Sequence, residues 1–161
     1  MLALVLAALV VIATYDGGEP IKNDSGQLFS ERFAEDIKKI KIVRLSEKIL
    51  VFEKRNQKWM LNTGSLEKAV FQLAETNKIE LMLGLLKTEV FNQFEYQSEQ
   101  LAKFDLDQPR VSVFFDDTEI GFGAINPLTR HRYIMVGSKI LTVSDFFYVL
   151  FIAEAEEYIT K

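Results

Sequence analysis

Residues Leu101–Val136 read LAKFDLDQPRVSVFFDDTEIGFGAINPLTRHRYIMV, and this stretch decides the fold. Asp105-Leu106-Asp107-Gln108-Pro109 has turn chemistry: aspartates bond their own downstream backbone, and Pro109 pushes Gln108 out of the helical region. Arg110–Phe115 then alternates as a half-buried strand does. Asp116-Asp117 is a hairpin turn candidate, although it lacks glycine. Glu119–Gly123 is the return strand, where Gly121 and Gly123 predict a bulge or a close backbone approach. Asn126-Pro127 opens a loop, and Arg132–Val136 is the next strand.

Working outward, the same rules give strands over Ile37–Arg44, Lys48–Lys54 and Lys58–Asn62, the last two joined by an Arg55-Asn56-Gln57 turn. Ser30–Asp36 reads as one helical turn capped by Ser30. Gly64-Ser65 is expected to start a helix with Leu66, Val70, Leu73, Ala74 and Asn77 on one stripe. Ile79–Lys87 continues that helix, restarts it or begins another. Glu89–Tyr96 is a loose strand, Ser98–Phe104 a short helix capped by Ser98, Lys139–Val143 a strand and Ser144–Tyr158 a terminal helix. Strands, helix, strands, helix make an α+β domain: a mostly antiparallel meander and hairpin domain with two to three helices, over residues 30–161.

Met1–Tyr15 carries no charged side chain. As a helix it covers about 22 Å, short of the roughly 30 Å hydrocarbon core. Three readings stand: a membrane anchor built on Leu2, Leu4, Leu6, Leu9, Val10 and Ile12; the apolar part of a signal peptide, with Val11-Ile12-Ala13 at its cleavage site; or a buried helix. Residues 16–29 are a polar linker. No Lys or Arg precedes the run, so the positive-inside rule has nothing to act on, and a start further upstream is expected.

Composition narrows the chemistry. One domain fits the 161 residues. A formal net charge of -4 argues against nucleic acid as a partner. The absence of cysteine excludes disulfides, thiolate metal sites and cysteine nucleophiles. Thirteen phenylalanines predict a dense core or a sticky face.

The residues that could carry chemistry are few. His131 is the only histidine. Flanked by Arg130 and Arg132, it is expected as a solvated loop side chain, and no metal or other cofactor is expected. Arg130 and Arg132 could grip a carboxylate or phosphate; the plainer expectation is a surface loop or an internal pair with Asp116 or Asp117. Asp105, Asp107, Asp116 and Asp117 are expected as turn residues, since their spacing is not that of a calcium loop. Gly121-Phe122-Gly123 lacks the continuation of a phosphate loop. Phe146, Phe147 and Phe151 belong to a terminal run apolar nearly all round, part of which could exceed what one core can bury.

Phe104-Asp105-Leu106-Asp107-Gln108-Pro109, Phe122-Gly123-Ala124-Ile125-Asn126-Pro127 and Arg132-Tyr133-Ile134-Met135-Val136 resemble the family called domain of unknown function 4340. That family shows a Phe-Gly-Leu-Asp-x-Pro turn, an Asn-Pro loop, an Arg-Tyr-Val strand, an early Trp-containing hairpin and often an N-terminal membrane segment. The resemblance covers most of Ile37–Tyr158. Asp105 departs from it, standing where the family usually has glycine; aspartate can also adopt the left-handed conformation.

The resemblance implies architecture and place, not a reaction. Some relatives accompany membrane transport or gliding machinery. The expectation is a non-enzymatic, single-pass inner-membrane protein of bacteria, its domain in the periplasm, serving a membrane complex as an accessory or assembly subunit. The lipid bilayer and that complex are the expected partners, with Arg130, Arg132, Tyr133, Phe146, Phe147 and Phe151 as contact candidates. The alternative is a periplasmic binding module holding a peptide, glycan or lipid in a cleft lined by Phe114, Phe122, Tyr133 and Arg132. A hydrolase would require His131 and the aspartates to converge.

Overall fold

The computed structural model describes residues 26–45, 49–64 and 69–160. The anchor candidates Leu2, Leu4, Leu6, Leu9, Val10 and Ile12, and Ser65 of the expected helix start, lie outside those residues.

Among the described residues, nine strands form one antiparallel sheet. In chain order they are β1 (Lys39–Arg44), β2 (Leu50–Arg55), β3 (Lys58–Asn62), β4 (Phe71–Leu73), β5 (Asn92–Glu95), β6 (Val111–Phe115), β7 (Thr118–Ile125), β8 (Arg132–Val136) and β9 (Lys139–Val143). Their spatial order is β4-β3-β2-β1-β6-β7-β8-β9-β5. Two meanders are thus joined by the pairing of β1 with β6, in which Ile40 faces Phe115 and Ile42 faces Val113.

Strand alternation puts one side chain in two on the core face. Ile40, Ile42 and Arg44 point inward from β1, and Ile40 lies opposite Phe52 of β2. The hairpin turns follow backbone chemistry. Asn56 and Gln57 both have positive φ, 48° and 62°, as a two-residue primed turn requires. Asp116 fastens the two meanders together. Its carboxylate accepts hydrogen bonds from the backbone N–H of Lys38 and of Lys39, the latter at 2.8 Å. Its own N–H donates to the Lys39 carbonyl at 2.9 Å.

Among the described residues, three short α-helices cover the core face: α1 (Glu31–Asp36), α2 (Thr76–Gly84) and α3 (Phe146–Phe151). They contribute Ala34, Ile79, Met82 and Phe151 to the same buried cluster as the strands. The Ser30 hydroxyl accepts from Phe33 N–H at 3.3 Å and caps α1, as expected.

The other face is covered at the β8–β9–β5 side by a 3₁₀ segment, Ser98–Phe104. Phe104 packs against Phe94 and Tyr133 there, at centroid distances of 5.5 and 4.7 Å. The cap of that segment is Gln97, which forms a reciprocal capping box with Gln100, and not Ser98.

Two further expectations are corrected. Phe71–Leu73 is an edge strand on β3 rather than helix, and the helix begins at Thr76. The apolar spacing of Val70, Leu73 and Ala74 satisfied a helical period, but main-chain pairing with β3 outweighs it. The terminal helix stops at Phe151, and a 3₁₀ turn at Ala155–Tyr158 follows.

Candidate functional site

The elements of the central stretch meet around Arg132, the first residue of β8. Parity with Ile134 turns its side chain to the core face beside α3. The Nε–H donates to the Asp145 carboxylate and an Nη–H to the Gly123 carbonyl. The guanidinium also stacks 3.7 Å over the Tyr148 ring. Its charge is therefore matched within the fold, and by Asp145 rather than by Asp116 or Asp117.

Beside it lies a cavity of about 360 Å³ lined by Asp105, Arg110, Phe122, Gly123, Arg132 and Tyr148, among others. The cleft expected from Phe114, Phe122, Tyr133 and Arg132 forms only in part. Phe114 and Tyr133 have the opposite parity and leave through the other face. Phe114 lies under the Lys41 ammonium at 3.7 Å. Tyr133 packs on Phe104, and its oxygen accepts from Asn126 Nδ2 at 2.7 Å.

The turn leading into β6 closes over the two glycines of β7. Asp105 adopts φ 54°, ψ 38°, the left-handed cap of the Ser98–Phe104 segment. A methyl group on Gly123 would stand 2.2 Å from the Phe104 carbonyl oxygen, and one on Gly121 would stand 2.9 Å from Pro109 Cγ. The β7–β8 register shifts between Phe122 and Ile125. The expected close approach and irregularity are both present.

The other candidates separate. His131 lies in the loop as expected but half-buried rather than solvated: its ring lies flat on Phe91, centroids 3.7 Å apart and planes 10° apart. Arg130 is exposed, with φ 62°, in a loop whose Asn126 Oδ1 accepts from Leu128 N–H and Thr129 N–H. Asp116 and Asp117 sit at the far end of β7 from this loop, roughly 24 Å away at about 3.4 Å per residue. The convergence a hydrolase requires is absent for that pair. Among the described residues, no group of three or more His, Asp or Glu is placed to hold a metal ion.

One charged group escaped notice in the sequence. Arg44 is buried at the end of β1. It donates to the carbonyls of Phe151 and Ala153, and at 3.4 Å to the Tyr158 hydroxyl. These bonds take up carbonyls at the end of α3 and turn the chain there. The Tyr158 hydroxyl in turn donates to the Leu150 carbonyl at 2.6 Å. Burial pushes the Tyr158 phenol up to about 12, against the opposing pull of the Arg44 charge. The signal was its parity with Ile40 and Ile42.

The aromatic run of α3 divides by face. Phe151 is fully buried. Phe147 packs against the core and stands over Gly84, 3.7 Å from where a Cβ would be. Phe146 is 54 % exposed and Val149 53 %, and Ile152 follows three residues on, also exposed. Phe146 and Val149, three apart, are neighbours on the helix surface, and Ile152 lies just past its end.

Among the described residues, no helix is long and apolar enough to cross a membrane. No family model, no curated protein and no solved structure matches the chain.

Proposed function

We propose that this chain is a non-enzymatic accessory or assembly subunit of a bacterial envelope complex. In this reading Leu2–Ile12 anchors it in the inner membrane, the domain lies in the periplasm, and exposed Phe146, Val149 and Ile152 seat a protein partner. Those side chains carry the reading: Phe146 and Val149 lie exposed on α3 and Ile152 just past its end, while Phe147, Tyr148, Leu150 and Phe151 pack against the core. Such surface is a common mark of protein contact. Three of the residues that could do chemistry are engaged in the fold: Arg132 with Asp145, Asp116 with two backbone N–H groups, His131 with Phe91.

Membership of the family called domain of unknown function 4340 is part of the proposal. The left-handed backbone at Asp105 supports it, because that conformation is what a glycine there would supply.

The test is affinity capture of the full chain from gently solubilised membranes, beside a Val149→Asp variant of equal thermal stability. A stoichiometric membrane protein that accompanies the wild type and is lost from the variant is the expected result. Recovery of the chain alone would overturn the reading.

The cavity beside Arg132 favours the second reading, a module that binds a peptide, glycan or lipid. At about 360 Å³ it lies near the lower limit of small-molecule sites.

A further inference from the structure

The sheet has two unlike ends. At one, the connections are the short polar pairs Asn56-Gln57, Asp116-Asp117 and Gly137-Ser138. At the other lie Leu45, Ile49, Val70, Phe91 and Leu128, five of the ten large hydrophobic side chains exposed among the described residues. The register puts them together. Arg44 pairs with Val111, Val51 with Asn62, Asn62 with Phe71, Ile125 with Arg132 and Asn92 with Thr142. The five therefore spread from the β4 edge to the β5 edge, each on a connection at the same end.

Leu128 is presented rather than left loose. It is 91 % exposed at the tip of a loop held by Asn126, whose side chain accepts from Leu128 N–H at 2.9 Å and whose carbonyl accepts from Arg130 N–H at 2.9 Å. The chain also enters the domain here. The Gly26 carbonyl accepts from Val90 N–H at 3.0 Å, and Phe91 follows and stacks on His131. The sequence before Gly26 holds the apolar run to Ile12. Residues 13–25 reach at most about 45 Å when extended, so an anchored run tethers this end within about that distance of the bilayer.

From this we infer that the β7–β8 loop end of the sheet rests on the phospholipid bilayer, with Leu128 and Val70 entering the interface. The inference rests on the anchored reading above. Separated apolar tips on four connections do not make one groove for a folded partner, but a fluid interface takes in each of them independently. Arg110 and Arg130 are exposed at the same end, beside the acidic Glu89, Asp105 and Asp107, and can reach lipid phosphates.

The test uses the full chain in vesicles of phosphatidylcholine and phosphatidylglycerol with brominated acyl chains. Trp59→Phe removes the only tryptophan. Leu128→Trp, Val70→Trp and, at the polar end, Ser138→Trp then report one at a time. The expected result is loss of emission to brominated lipid and protection from aqueous iodide for the first two, and the reverse for Ser138→Trp. Iodide quenching at all three positions, in a chain that still floats with the vesicles, removes the bilayer contact and leaves the anchor standing. Protection from iodide without quenching by brominated lipid means a protein covers this end, which also overturns the inference. A chain that does not float with vesicles overturns the anchored reading, and this inference falls with it.

Discussion

Gly123→Ala tests the packing at the centre of the molecule. The new methyl carbon would stand 2.2 Å from the Phe104 carbonyl oxygen and 2.8 Å from Leu106 Cγ, where ordinary contact begins at 3.4 Å. Relief needs a shift of 3.4 − 2.2 = 1.2 Å from main-chain atoms rather than from a flexible side chain. The carbonyl that must move ends the Ser98–Phe104 segment, directly before the left-handed Asp105. The Phe104 ring is held between Phe94 and Tyr133. Overpacking with so little room costs about 3 kcal/mol, the upper part of the usual range. In a domain of this size that lowers the melting temperature by roughly 6–12 °C.

Gly121→Ala is the internal control. Its nearest neighbour is a proline ring carbon at 2.9 Å, which can yield, so a loss of about 1 kcal/mol is expected, the low end of overpacking. Thermal melts followed by circular dichroism and urea titrations with an unchanged slope measure both. A Gly123→Ala protein within about 0.5 kcal/mol of wild type, the usual scatter for a surface change, would refute the close approach of the Phe104–Pro109 turn.

Three further outcomes are expected. Asp116→Ala removes a charged acceptor from two backbone N–H groups and lowers stability by about 1.5 kcal/mol, while Asp117→Ala next to it stays within about 0.5 kcal/mol; equal effects in urea titration would show that Asp116 does not tie β1 to the hairpin. Above pH 10.0 the unfolded Tyr158 phenol loses a proton that the folded one keeps to about 12, so its contribution is whole below pH 10.0 and is lost as pH rises toward 12. Melting curves across that window should fall more steeply for the wild type than for Tyr158→Phe, and parallel curves would overturn the assignment. Arg132→Lys gives up the stack on Tyr148 and the paired donor geometry, and should cost about 1 kcal/mol in the same titrations; no change would show that the guanidinium holds nothing in place.

The strongest local signals were read from sequence to the residue. Lys58–Asn62, Arg132–Val136 and Lys139–Val143 are strands at the expected bounds, because each lies between turn residues that end it. Asp105 took the left-handed conformation the Phe104–Pro109 turn demands, and the two glycines of β7 marked a close approach. Of the candidate site, Arg132 was legible as a residue seeking a carboxylate, but its partner was not. Asp145 is thirteen positions away in sequence and arrives only when α3 folds back on the sheet.

Local chemistry by itself thus determined an α+β chain of antiparallel hairpins, its turns and its inward-facing residues, since alternation, glycine and proline act within a few positions. Tertiary structure decided what depends on distant partners. β1 joins β6 across some seventy residues and makes one sheet of two meanders. Phe71–Leu73 became a strand because β3 offered its edge, and the terminal helix ended at Phe151 because Arg44 reaches its last carbonyls from across the core. The gathering of exposed apolar side chains at one end of the sheet belongs to the same class, for only the register of the strands sets Leu45, Val70 and Leu128 at the same end.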